Sequence, residues 1–91
     1  MNIKKVDGNQ KKLVEQIRRL GISVLHIHTV GKGCPDVLLG KGGRNFLLEI
    51  KDPSKYPSQR KLTDDEKRFH TSWQGQVSVV ETIDDVLKLF V

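Results

Sequence analysis

The chain has 91 residues, 36% of them hydrophobic, with a net charge of +5 and an isoelectric point near 9.6. That length suits one domain over residues 1–91. No apolar run reaches the roughly 18 residues of a membrane span and no signal-peptide core opens the chain, so a soluble, cytoplasmic protein without a membrane partner is expected. The single cysteine, Cys34, excludes an internal disulfide and a cysteine-clustered zinc site. The basic balance suits a polyanion partner without demonstrating one.

From Asp7 to Leu20, the apolar residues Leu13, Val14, Ile17 and Leu20 recur at helical spacing, Asp7 with Gln10 makes a capping pattern, and Gly21 stops the run. This predicts a first helix. The β-branched stretch "ISVLHIHTV", Ile22 to Val30, predicts a strand that carries His26 and His28 on one face, and the loop "GKGCP" follows it. "DVLLG" and "NFLLEIK" predict two further strands joined through Gly42-Gly43. Next comes a basic loop, "KDPSKYPSQRK", in which Lys51, Lys55, Arg60 and Lys61 face one acid, Asp52, and Pro53 and Pro57 limit the slack. Thr63 and Glu66 form a capping box that predicts a second helix from about Thr63 to Trp73, with Phe69 and Trp73 one turn apart. "QVSVVE" predicts a fourth strand. Thr82 caps a last helix built on Ile83, Val86, Leu87 and Phe90. The order is αβββαβα.

With a two-residue turn at Gly42-Gly43, residues pair wherever their numbers sum to 85, so Asp36 is expected opposite Glu49. Lys51 falls on the same face by the period of two, while Phe46, Leu48 and Ile50 point to the other. Two opposed carboxylates repel each other and favour a cation between them. A hard divalent ion that takes oxygen ligands suits the pair.

These residues carry a resemblance. Pro35-Asp36 followed by Glu49-Ile50-Lys51 resembles the PD-(D/E)xK nuclease motif, and "GCPDVLLG", "FLLEIKDPS", "KLTDDEKRFH" and "VSVVETIDDVLKLF" resemble the virus-type replication-repair nuclease (VRR-NUC) domain over nearly the whole chain. The resemblance implies an α/β, restriction-endonuclease-like αβββαβ core with a C-terminal helix, and an Mg²⁺- or Mn²⁺-dependent endodeoxyribonuclease. Small stand-alone members resemble phage-encoded Holliday junction resolvases, which implies branched DNA as partner and action in a host cytoplasm. Asp36 and Glu49 match the metal-binding positions, the Ile50 carbonyl is a further candidate ligand, and Lys51 matches the catalytic lysine. Lys32, Lys55, Arg60 and Lys61 are expected to engage phosphates.

Such nucleases usually bring another acid from the first helix. Glu15 fits by type, whereas at about 100° per residue Gln10 shares the sheet-facing side of Leu13, Val14 and Ile17. Gln10 is favoured and Glu15 kept as the alternative. Glu66 stands where the family pattern "LTxxQ" carries Gln, so capping and an active-site role are both open. A two-fold junction needs two cuts, which suits a homodimer; Phe69 with Trp73, or Leu89, Phe90 and Val91, are the candidate apolar contacts. The rival readings are a non-catalytic nucleic-acid-binding module and a nuclease acting on flaps, nicked duplex or single strands.

Overall fold

Helix α1 (Gly8–Arg19) buries Gln10, Leu13, Val14 and Ile17 and leaves Lys11, Lys12, Glu15, Arg18 and Arg19 to solvent, the division that a 3.6-residue repeat imposes. The computed structural model describes residues 8–91, so the capping pattern begun at Asp7 lies outside the described residues. Strand β1 (Ser23–His26) is shorter than the predicted Ile22–Val30, because the chain winds into a 3₁₀ turn at His28–Val30. The Ile27 N–H is held by the Asp36 carbonyl and the Val30 N–H turns back to the Ile27 carbonyl, at 3.0 and 3.1 Å. These local bonds override the β-branched composition. His28 therefore leaves the strand, and its ring meets that of His26 edge-on at 5.9 Å.

Strands β2 (Val37–Lys41) and β3 (Arg44–Ile50) form the predicted hairpin. Gly42 and Gly43 have φ of 59° and 76°, the paired positive values of a two-residue turn that twists with its strands. The register runs from Lys41↔Arg44 to Val37↔Leu48, so the sum of 85 holds along the hairpin. After the basic loop come α2 (Asp64–Ser72) and β4 (Val77–Val80), which pairs parallel to β3, as a helical crossover allows. The sheet order is β1-β2-β3-β4. Helix α3 (Ile83–Leu87) is capped by Thr82 and tightens into a 3₁₀ turn at Lys88–Phe90.

One face of the sheet makes the core: Val37, Leu39, Phe46, Leu48, Ile50 and Val80 meet Leu13, Val14 and Ile17 of α1 and Val86 of α3. Each such side chain contributes about 1.5 to 3 kcal/mol on burial. Phe90 stands edge-on to Phe46 at 4.8 Å between ring centres. Leu89 and Phe90 are thus packed on the core, while Val91 is exposed. On the other face, strand alternation sets Leu25, Leu38, Leu47, Val77 and Val79, of which Leu25 and Val79 are 59% and 45% exposed. Phe69 and Trp73 stack on each other at 5.1 Å, and Trp73 stays exposed.

Candidate functional site

The β2–β3 ladder changes at its open end. Counted from the turn, Lys41↔Arg44, Leu39↔Phe46 and Val37↔Leu48 are the hydrogen-bonded pairs, and the next would be residue 35 with Ile50. Pro35 has no N–H to give the Ile50 carbonyl, and the pairing yields to a bulge. The Asp36 N–H reaches the Leu48 carbonyl at 3.0 Å, so two residues, Asp36 and Val37, oppose one. The Ile50 N–H donates instead to Asp36 Oδ2 at 2.7 Å. The direct Asp36–Glu49 opposition expected from the register is corrected accordingly: the bulge turns Asp36 toward the amide one residue past Glu49.

Glu49 lies on the strand face opposite Leu48 and Ile50, yet it is fully buried. Among the described residues the buried polar or charged side chains are Gln10, Asp36, Glu49 and Glu66, each at most 4% exposed. They come from α1, the residue before β2, β3 and α2. Taking such groups from water is costly unless each gains compensating partners, and buried ionisable groups of this kind concentrate at functional sites.

Lys51 links them. Its Nζ lies 3.0 Å from Glu66 Oε1 and 3.8 Å from Glu49 Oε2. The Lys51 N–H is bound by the Val80 carbonyl at 2.9 Å, and the Lys51 carbonyl accepts from Asn9 Nδ2 at 2.8 Å. Asn9 Nδ2 also donates to the Glu81 carbonyl at 3.2 Å. Asn9 therefore ties the first turn of α1 to the ends of β3 and β4, which brings the buried Gln10 to that end of the sheet. Nothing in the sequence marks Asn9 for this, since a polar residue in a helix's first turn is ordinary. Glu15 is exposed and borders a surface recess with Lys11, Val14, Arg18 and His26, away from Gln10.

Glu66 caps α2 and also contacts Lys51. The capping box is complete: Thr63 Oγ1 accepts from the Glu66 N–H at 3.2 Å and Glu66 Oε1 accepts from the Thr63 N–H at 2.9 Å. The same Oε1 accepts from Lys51 Nζ. Helix α2 comes this close because of Gly33, whose φ is +80°: a Cβ there would lie 2.8 Å from the Glu66 nitrogen and nearer still to the Asp65 carbonyl. Gly33 belongs to the loop that leads into Pro35-Asp36, and the Gly-x-Gly of "GKG" was its one visible signal.

The basic residues divide. Asp52 Oδ1 accepts from the Ser54 hydroxyl at 2.7 Å and the Ser54 N–H at 2.9 Å; these bonds, the hydroxyl first, hold its carboxyl below the usual aspartate value and form a turn at the loop's start. Lys55 and Lys61 are exposed, as is Lys32, which has φ of 54°. Arg60, expected at phosphates, is ion-paired through Nη1 with Glu81 Oε2 at 2.9 Å. That pair anchors the loop to the end of β4.

By type, the Asp36 and Glu49 carboxylates, the Gln10 amide and the Ile50 carbonyl are hard oxygen donors, which suit Mg²⁺ or Mn²⁺ where water and phosphate complete the shell. Among the described residues no group of three or more His, Cys, Asp or Glu is placed to hold a metal ion. No helix of the described residues is long and apolar enough to cross a membrane.

Comparison with known proteins agrees with the architecture. No protein-family model and no curated protein matched the chain. A solved chain described as a VRR-NUC domain is 30% identical, the match covers 89% of this chain and 88% of that one, and the TM-score is 0.55. The α/β order, the four-stranded sheet and this likeness together establish that the chain belongs to the VRR-NUC family of nuclease domains.

Proposed function

We propose that this nuclease domain is an Mg²⁺- or Mn²⁺-dependent endonuclease that hydrolyses phosphodiester bonds in branched DNA, with four-way junctions as its preferred substrate. The observation that supports this is the pair of buried carboxylates, Glu49 and Glu66, brought to Lys51 at one end of the sheet, with the buried Asp36 held on the neighbouring Ile50 amide, an arrangement that suits a hydrolytic site. Asp36 and Glu49 would hold the ion, with Gln10 as a neutral third donor. The Ile50 carbonyl is a further ligand: within a strand, a residue's N–H and C=O point to the same edge, the Ile50 N–H points to Asp36, and Pro35 cannot donate to that carbonyl. When bound, the ion polarises the phosphoryl oxygen as a Lewis acid.

The lysine ammonium offsets charge that develops on the phosphate and orients the water that attacks phosphorus. One P–O bond to sugar breaks, leaving a phosphate on one end and a hydroxyl on the other. Lys32, Lys55 and Lys61 engage the backbone without distinguishing sequence. Two equivalent cuts in a two-fold junction call for two sites, and a homodimer supplies them; exposed Leu25, Val79 and Trp73 are apolar surface for a second copy to cover. The test is cleavage of junction, flap, nicked and linear DNA side by side, with sedimentation at micromolar protein. Preferred cutting of junctions by a dimer is expected. Equal cutting of junction and linear duplex by a monomer would remove the resolvase reading and leave the nuclease standing.

A further inference from the structure

We propose that Glu66 is the positioning residue for Lys51, and that it acts through the fixed geometry of its Oε1 as an acceptor and not through its charge. The inference rests on the nuclease reading above. A lysine side chain has four rotatable bonds and does not hold one position unaided. Lys51 Nζ is 3.8 Å from the motif acid Glu49, beyond hydrogen-bond reach, and 3.0 Å from Glu66 Oε1, within it. It is therefore Glu66 that sets where the ammonium stands.

Glu66 can do so because it is itself immobilised. Its Oε1 is fixed by the Thr63 N–H at 2.9 Å, its own N–H by Thr63 Oγ1 at 3.2 Å, and the helix turn beneath it lies against Gly33. A helix cap thus serves as the rest for a catalytic side chain. The loop that delivers Asp36 to the site also fixes, through α2, the position of Lys51. A glutamine at position 66 would keep an Oε1 for both the Thr63 N–H and the lysine, since a capping box accepts either residue.

Four variants separate this from a merely structural role: Glu66→Ala, Glu66→Gln, Thr63→Ala and the double variant Lys51→Ala/Glu66→Ala. Single-turnover cleavage, DNA affinity and Tm are measured, together with acylation of Lys51 by an amine-reactive ester in metal-free protein, followed by mass spectrometry. Glu66→Ala should slow cleavage about 10- to 100-fold, the usual loss when a supporting partner is removed, with little change in DNA affinity. Lys51 should be acylated faster in that variant. Glu66→Gln should restore both the rate and the protection, and Thr63→Ala, which loses the Oγ1 acceptor but keeps the N–H that holds Glu66 Oε1, should lower Tm and slow cleavage less than Glu66→Ala does. The double variant should be no slower than Lys51→Ala alone. A wild-type rate in Glu66→Ala, or a Glu66→Gln variant as slow as Glu66→Ala, overturns the proposal. If the wild-type protein fails to cleave, the nuclease reading falls separately, and unchanged Lys51 protection in Glu66→Ala then overturns the positioning role by itself.

Discussion

The Asp36 carboxylate and the Ile50 amide are 2.7 Å apart, so the acid of one half of the motif is bonded to the backbone of the other. Asp36→Ala should leave the buried Ile50 N–H without this acceptor and destabilise the protein by about 1 to 3 kcal/mol. Asp36→Asn retains an acceptor oxygen and should cost less. Urea unfolding of the two variants checks the order; an alanine variant as stable as wild type would mean that the bulge does not depend on this bond.

Two glycines of one loop form a matched pair. Gly31 and Gly33 have φ of 79° and 80°, but a Cβ at Gly31 meets nothing within 4 Å whereas one at Gly33 runs into the first turn of α2. Gly31→Ala should cost only its backbone conformation, φ 79° and ψ −169°, a region that essentially only glycine adopts, about 1 to 3 kcal/mol. Gly33→Ala should cost a further ~1 to 3 kcal/mol for the overpacked contact and should also slow cleavage, because Glu66 moves with the helix. Equal stability and equal rates in the two variants would refute the docking of α2 on Gly33.

The third donor is settled by two single substitutions. Gln10 is buried at the tethered end of α1 and Glu15 is exposed, so Gln10→Ala should weaken Mn²⁺ binding and cleavage more than Glu15→Ala. Titration calorimetry with a catalytically dead background reads the first effect without cleavage. The reverse ranking would place the metal elsewhere on the helix.

Arg60 should differ from its lysine neighbours. Removal of Lys55 or Lys61 should each reduce the salt slope of DNA binding by about 1. Arg60→Ala should change that slope less and lower stability by up to about 1 kcal/mol, since it loses a partly exposed ion pair with Glu81. Binding isotherms across a salt series distinguish the cases, and an Arg60 slope as large as that of Lys55 would make Arg60 a phosphate contact after all.

Much of this fold was legible because local and global signals agree. The phase of Leu13, Val14 and Ile17 sets which side of α1 is buried and so brings Gln10 inward, and two glycines with positive φ set a register that holds for five pairs. What escaped was set by tertiary contacts. The strand signal of Ile27, Thr29 and Val30 yields to a turn closed by the Asp36 and Ile27 carbonyls. The bulge at Asp36 follows from the missing N–H of Pro35, which the motif contains but which only a ladder makes consequential. Asn9 and Glu81 act on residues 42 and 21 positions away, a distance at which no periodicity helps.

The central claim is that the cluster around Lys51 hydrolyses DNA with a divalent ion. Its most direct test is cleavage of a synthetic four-way junction by wild type and Glu49→Ala, each with Mg²⁺, with Mn²⁺ and with a chelator. The expected result is that wild type cuts only when metal is present, while Glu49→Ala folds and binds DNA but does not cut. Binding without cutting by wild type in both metals, or cutting by Glu49→Ala at the wild-type rate, would contradict the claim.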